Sequence, residues 1–467
     1  MEDRGFYAGT STSIAAMHVF GGATDPTSTH DPLPHGKVSG ATIASPVVFA
    51  GYAPDWRDLM EEYADANAAR QPKLPWTGGV PFGWNSWGKL QTNISYVAAI
   101  AVSDFISANL QPAFANQGVA YVNLDSYWDN LSATQLQDFV SHCHANGQKA
   151  GIYWTPFVDW GLNATRAVEG SSGVTYGQIW LRDASGNPIS LDGAYAVDPT
   201  HPATKARIDQ FIDQFKSMGF EYVKLDFLTH GALESTVRAD PNVQTGMQAY
   251  NQGMKYVVDR IGGAMFISES IAPLFPAGYG HARRISCDVN GAAVNPHGSS
   301  YELNSLTYGW WMNGRTYAYN DPDMMVFEGY TADDNLTRLL SAVISGTVFL
   351  DGDDLTEATG QALARAYLTS PRLDDIARLG KTFRPVEGNT GTDPSDVFFL
   401  QDGATAYLAV FNYGSAAEAK VVDLARAGLS GSAAYTATDV WTGSTSSVTG
   451  TLTVDLDAGA GRLFVMH

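Results

Sequence analysis

The sequence predicts an α/β protein, a (β/α)8 TIM barrel carrying a C-terminal antiparallel β-sandwich domain and preceded by a short N-terminal β/linker segment. Two observations predict it. From about Val80 to Leu355 one unit recurs: an amphipathic helix, a glycine, then a short apolar strand that ends in polar residues. After about Arg378 small and β-branched residues alternate, with Gly/Ser/Asp turns between the runs. Helix and strand in alternation place a parallel sheet inside a layer of helices. Alternation with a period of two marks antiparallel strands with one buried face.

The units are explicit. Leu136, Phe139, Val140 and Cys143 fall at i, i+3, i+4 and i+7, one apolar helix face. Gly147 follows as a stop, because glycine takes the left-handed conformation that ends a helix. Lys149-Ala-Gly-Ile-Tyr-Trp154 is then a buried strand. The next copy runs Ile208, Phe211, Ile212, Phe215, stops at Gly219 and leads into Tyr222-Val-Lys-Leu-Asp226. Val257 and Ile261 precede Gly262-Gly263 and the strand Met265-Phe-Ile-Ser-Glu269. Eight strands are expected, beginning near Val80, Ala120, Lys149, Glu221, Ala264, Arg283, Thr316 and Gly346. A doubly wound sheet is the competitor, but no Gly-x-Gly-x-x-Gly turn follows a first strand. The expected domains are a barrel over 76–378, a β-sandwich over 379–467, and over 1–75 the remnant of a β-domain with a linker helix. That helix presents Trp56, Leu59, Met60 and Tyr63 on one face. In the C-terminal part, Thr451-Leu-Thr-Val-Asp-Leu456 alternates strictly.

Composition narrows the function. With 45% hydrophobic and 16% charged residues over 467 positions, a large core is available and disorder is disfavoured. A net charge of −20 argues against nucleic acid as a partner. No apolar run reaches the length of a membrane span. Met1-Glu-Asp-Arg4 lacks the basic and apolar stretches of a signal peptide, which suits a cytoplasmic enzyme or a mature secreted chain equally. Two cysteines, Cys143 and Cys287, provide neither a disulfide framework nor a cysteine metal site. The acids Asp351, Asp353 and Asp354 lack the spacing of a calcium loop and are expected to be structural or substrate-facing. No metal or cofactor is expected.

The chemistry lies where strands end, since barrel active sites form at the C-terminal ends of the strands. Asp125 ends Tyr121-Val-Asn-Leu-Asp125, Asp226 ends Tyr222-Val-Lys-Leu-Asp226, Glu269 ends Phe266-Ile-Ser-Glu269, and Asp288 ends Arg284-Ile-Ser-Cys-Asp288. Any one acid could be a helix cap. Four at one rim, with Lys224 two residues before Asp226, point instead to carboxylate catalysis of the kind glycoside hydrolysis uses. A lysine beside a carboxylate keeps it ionised and donates to hydroxyls. Arg284, four residues before Asp288, can bond a hydroxyl and orient neighbouring carboxylates.

These motifs resemble those of the melibiases, the α-galactosidase-type glycoside hydrolases of families 27 and 36. Gly83-Trp-Asn-Ser-Trp87 is similar to their first-strand motif and Tyr121-Val-Asn-Leu-Asp-Ser-Tyr-Trp128 to the second. Tyr222-Val-Lys-Leu-Asp226 resembles the nucleophile strand, Arg284 with Asp288 the arginine and acid/base pair, and Asn320-Asp-Pro-Asp-Met324 a late-barrel motif. The resemblance implies a retaining exo-glycosidase acting on an oligosaccharide or polysaccharide, with Asp226 as nucleophile and Asp288 as general acid/base. It implies that Trp87 stacks on the sugar, that Lys224 holds ring hydroxyls, and that Glu269 and Arg284 read the 2-position. Asp125 and Ser126 fall where the family's two sugar-reading acids stand, so one of those carboxylates is replaced by a serine. Asp129, one helical turn further on, is either a substitute for it or an exposed loop charge.

That departure keeps several readings open. The sugar could be an α-galactoside, a β-L-arabinopyranoside, which lacks the C6 arm, or an isomalto-type glucan. A transglycosylase resembling raffinose synthases would use the same intermediate. Outside enzymes, the alternative is a carbohydrate-binding protein on a dead barrel.

Overall fold

The computed structural model describes residues 6–10, 15–19, 37–44, 47–289, 298–387 and 393–467. Eight parallel strands form the central sheet: β1 (Phe82–Asn85), β2 (Tyr121–Asn123), β3 (Lys149–Trp154), β4 (Tyr222–Leu225), β5 (Phe266–Glu269), β6 (Ala282–Arg284), β7 (Tyr319–Asp321) and β8 (Phe349–Asp351). Each strand lies within a few residues of its expected start. In the sheet β1 lies between β8 and β2, and β7 ends the order. β7 meets β8 through Asn320 N–H to Gly346 O at 3.0 Å and Val348 N–H to Asn320 O at 2.9 Å, which closes the barrel.

Side-chain parity on these strands positions everything that follows. Residues i and i+2 share a face. The interior holds Tyr121, Tyr222, Phe266, Ala282, Val348 and Leu350 as one packed cluster. Gly83 belongs to the same face, and a Cβ there would lie 1.9 Å from the Tyr121 carbonyl oxygen, so the first strand can pack only with glycine at this point. The alternate residues Phe82, Trp84, Val122, Ile152, Trp154, Val223, Leu225 and Ile267 face outward into the main core beneath the helices.

The helices form for the reasons legible in the chain. In Ala133–Ala145 the four apolar residues Leu136, Phe139, Val140 and Cys143 are all buried, and Ser132 with Gln135 makes a capping box. Pro202–Met218 starts with proline in its first turn and ends at Gly219 with φ 92°. Gly246–Ile261 ends at Gly262 in the left-handed region. Between β3 and helix Pro202–Met218 the chain makes an excursion with its own antiparallel sheet of Val158–Asp159, Ala194–Ala196 and Ser190–Leu191.

Beyond helix Pro371–Arg378 the chain enters an antiparallel domain of eight strands, from Arg384–Pro385 to Gly461–Met466. Its own core includes Leu408, Val410, Val422, Leu452, Val454 and Phe464. In Thr451–Leu456 every second side chain is buried, the alternation expected for a half-covered strand. The other face joins the barrel, with Phe398, Phe411 and Leu463 in the same core cluster as Leu339 and Val343 of the helix Ala332–Ile344.

Near the start, strands Phe6–Thr10 and Ala15–Val19 pair as a two-stranded antiparallel sheet. The expected linker helix spans Trp56–Arg70, with Asp55 as N-cap. The buried Arg57 donates to the carbonyls of Pro385 and Val386 at 3.0 and 2.8 Å, and the Trp56 ring packs edge-on against Trp310 at 5.1 Å. This helix thereby ties the barrel to the first strand of the C-terminal domain. Residues 37–44 and 47–50 carry no strand, and 1–5, 11–14, 20–36, 45 and 46, which also fall in the expected β remnant, lie outside the described residues. Among the described residues no helix is long and apolar enough to cross a membrane.

Candidate active site

Strand parity brings a set of polar side chains to the C-terminal mouth of the barrel. Asp125, four residues on from the interior Tyr121, faces inward at the end of β2. Asp226, four on from Tyr222, does the same beyond β4. Lys224 lies between them: its Nζ is 2.9 Å from Asp125 Oδ2 and 3.9 Å from Asp226 Oδ2. Asn85 Nδ2 donates to the same Asp125 oxygen at 2.8 Å, and Ser126 N–H donates to the other at 2.7 Å. Asp226 accepts the Phe227 backbone N–H at 2.7 Å.

These groups tune one another. Asp226 is only 7% exposed. Burial pushes its pKa upward, Lys224 pulls it back, and the charge of Asp125 adds to the rise. Burial works against the charge of Lys224, but the two carboxylates outweigh it and the ammonium is held more tightly than usual. Tyr153, inward on β3, has its hydroxyl pushed up by burial and by the charges of Asp226 and Asp125, and its ring lies 5.5 Å from Lys224 Nζ.

A second cluster stands beyond β6 and β7. Arg284 Nη2 lies 2.9 Å from both Asp288 Oδ1 and Asp323 Oδ2. Asp323 is buried and also accepts the Val289 N–H at 2.9 Å, which fastens the chain just past Asp288. The Asp288 side chain is 63% exposed, in contact with the guanidinium and open to solvent. Burial opposes the charge of Arg284, and Asp323, Asp321 and Asp288 together hold it on. Asp321 accepts the Ser268 hydroxyl at 2.6 Å.

The backbone at this mouth is strained. Tyr127, Phe227, Ile271 and Asp323, the residues just past β2, β4, β5 and β7, all have positive φ, between 44° and 71°. Non-glycine residues adopt this region rarely, and it concentrates where a binding or catalytic constellation is held in place. Trp87, half-buried past the end of β1, lies parallel to Tyr127 with 6.3 Å between ring centroids and 12° between planes.

Glu269 is the expected site residue that this geometry removes. It pairs in register with the outward-facing Leu225, and Ser268 pairs with the inward-facing Lys224. Its carboxyl is fully buried outside the barrel interior, among Tyr250, Tyr317 and Arg283, and burial lifts its pKa to about 8. Ser268 and Ser270 hold the inward positions, so β5 delivers hydroxyls to the mouth where an acid was expected. Asp129 is exposed on the short turn Trp128–Asn130 and stands outside the cluster. Asp351 and Asp353 are fully buried. Asp353 accepts the N–H groups of Phe327 and Glu328 at 2.9 and 3.0 Å, so this acid fastens the chain after β7 to the end of β8. The expected set omits Asn85, Tyr153, Asp321 and Asp323. Asp323 had a signal, the second acid of Asn320-Asp-Pro-Asp-Met324.

The position of Glu269 predicts a pH effect on stability. Its folded-state pKa of about 8 lies above the ordinary 4.5. Below pH 4.5 both folded and unfolded forms hold the proton. Between the two values only the folded form holds it, so stability falls by about 1.4 kcal/mol per pH unit, and the loss is complete above pH 8. Glu269→Gln is therefore expected to unfold at a higher temperature than wild type at pH 8, with the gap closing at pH 5. Thermal melts of both proteins across that range measure it.

Residues 399–466 match the family model described as the α-galactosidase C-terminal β-sandwich domain. The chain is similar to the solved structure of a GH27 β-L-arabinopyranosidase from Geobacillus stearothermophilus, at 18% identity and a TM-score of 0.63, over 84% of this chain and 97% of that one. It is similar to the isomalto-dextranase of Arthrobacter globiformis T6 at 19% identity and 0.63, over 83% and 72%. The α-galactosidase I of Mortierella vinacea aligns at 15% identity and 0.57, over 83% and 96%. No curated protein sequence matches. At these identities the structures establish the shared fold, a TIM barrel with a C-terminal β-sandwich. Fold and domain match together support an enzyme, a glycoside hydrolase. The family match itself covers the C-terminal domain alone.

Proposed function

We propose that this chain is a retaining exo-glycosidase that cleaves terminal α-galactoside-type linkages by double displacement. The observation that carries the reading is the placement of Asp226: buried at the end of β4, facing the barrel interior, with a lysine ammonium 3.9 Å from its carboxylate. Asp226 attacks the anomeric carbon as the bond to the leaving oxygen breaks, and Asp288 donates its proton to that oxygen. A covalent glycosyl-enzyme results. Asp288, now a carboxylate, takes a proton from water, and the water oxygen displaces Asp226 from the anomeric carbon. Lys224 and Asp125 hold ring hydroxyls, Trp87 packs against the apolar face of the sugar, and Arg284 keeps Asp288 in place.

A specific observation favours a second reading of the sugar. Past Asp125 the mouth presents Ser126 rather than a second carboxylate, and Asp129 does not replace it. A pyranoside without the C6 arm, a β-L-arabinopyranoside, asks less of this position, and an isomalto-type glucan asks for different contacts. Transfer to a sugar acceptor, as in raffinose synthases, uses the same intermediate.

The test is release of nitrophenol from a panel of nitrophenyl glycosides, assayed with and without a sugar acceptor. Turnover of the α-galactoside supports the first reading, and turnover of the β-L-arabinopyranoside alone moves the specificity. Absence of turnover with retained sugar binding would favour a carbohydrate-binding protein.

A further inference from the structure

Trp160 lies on the excursion after β3 with 47% of its surface exposed, and its ring packs edge-on against Phe227, centroids 4.8 Å apart. Phe227 is the residue directly after Asp226 and is one of the positive-φ residues of the mouth. An indole this exposed forgoes the burial that tryptophan normally gains.

The support beneath this pair is rigid. The neighbouring Asp159 is buried, and its carboxylate accepts from Arg166 Nη2 at 2.7 Å, Trp180 Nε1 at 2.9 Å and the Gly161 N–H at 3.0 Å. Arg166 in turn pairs with Glu169 at 2.7 Å and covers the Tyr176 ring at 3.9 Å. On the other side, His230 is fully buried. Its Nδ1 lies 3.1 Å from the Phe227 carbonyl and its Nε2 lies 2.9 Å from the Leu191 carbonyl of the excursion. One histidine therefore clips the loop after the nucleophile to the excursion that bears Trp160. Two loops fixed at this cost, with an apolar ring left facing water, make a preformed platform rather than a stray surface side chain.

We infer that Trp160, seated on Phe227, is a sugar platform outside the reaction subsite, taking the second sugar unit of an oligosaccharide next to the one bound over Asp226. The inference rests on the proposed glycosidase reading and adds to it a preference for chains over small glycosides. The apolar C–H face of a pyranose is the chemistry that matches an exposed indole at a catalytic mouth. In the proposed reading Trp87 and Asp125 serve the reaction subsite, and Trp160 takes the neighbouring sugar unit.

The experiment compares wild type, Trp160→Ala and Trp160→Phe on two substrates: an α-galactosyl-terminated trisaccharide and α-galactosyl fluoride, whose leaving group offers nothing to stack. Trp160→Ala is expected to lose about tenfold or more in kcat/KM on the trisaccharide, mainly through KM, as truncation of an anchoring aromatic does. The fluoride is expected to react unchanged, and Trp160→Phe to retain most of the trisaccharide activity. Equal losses on both substrates, or no loss on either, would overturn the inference. Calorimetric binding of the trisaccharide to Asp226→Asn and to Asp226→Asn/Trp160→Ala separates this from the reaction itself. If wild type hydrolyses neither substrate the α-galactosidase reading fails. Binding weakened by the second substitution still supports the platform, and binding unaltered by it overturns the platform.

Discussion

Asp226→Asn is expected to abolish turnover, with kcat falling on the order of 10^4-fold or more, while the protein folds as wild type does. An amide of the same shape cannot form the glycosyl ester, so no compensating route through the same geometry exists. Stability should survive because burial already disfavours the charged form of Asp226, and Lys224 keeps its 2.9 Å contact with Asp125. Removing one carboxylate from this pair therefore strands no unpaired cation, the circumstance that makes broken buried ion pairs costly. Steady-state kinetics with a thermal melt of the same preparation check both halves. A variant that is inactive because it is unfolded would not bear on the nucleophile.

Asp288→Asn is expected to give a loss that depends on the leaving group. A poor leaving group needs the proton, so rates on an unactivated glycoside should fall by roughly 10^2 to 10^4-fold, the range that general acid–base catalysis contributes. A dinitrophenyl glycoside needs no proton to depart. Its first step should be spared, and added azide, which requires no base, should restore turnover of the accumulated glycosyl-enzyme. Folding should be little changed: Asp288 is mostly exposed, and exposed ion pairs contribute about 0 to 1 kcal/mol. Arg284 retains the buried Asp323 at 2.9 Å after the substitution. Equal losses on good and poor leaving groups, without rescue by azide, would remove Asp288 from the acid/base role.

The fold was legible because each repeating unit states its own boundaries. The apolar face of Ala133–Ala145, the left-handed glycines 147, 219 and 262, and the short apolar runs after them are local signals, and local signals do not depend on the rest of the chain. The alternation in Thr451–Leu456 is equally direct. The inward acids were legible for a similar reason: Tyr121 to Asp125 and Tyr222 to Asp226 are both steps of four, so both acids share the face of a tyrosine that packs inside the barrel.

Glu269 went wrong on parity. It is three residues from the inward Phe266, an odd step, and so points to the opposite face. The motif ends in an acid as the others do, and the resemblance of endings masked the shift. Asp321 and Asp323 were harder to place, because β7 is only three residues long and carries no apolar run to declare its inward face. The buried partnership of Asp323 with Arg284 is tertiary, made across β6 and β7, and no spacing within either strand encodes it. The platform at Trp160 depends on His230 and Leu191, which are 39 residues apart in the chain.

In the proposed mechanism Asp226 carries the sugar in a covalent intermediate. That role is tested most directly by incubating wild type with a 2-deoxy-2,2-difluoro-α-galactoside carrying a trinitrophenyl leaving group, chosen so that the glycosyl-enzyme forms faster than it breaks down, and locating the label by peptide mass spectrometry. One fluorosugar per chain, esterified to Asp226, is expected. A label on any other carboxylate, or an unlabelled enzyme that releases product of inverted configuration from the parent substrate, would contradict it.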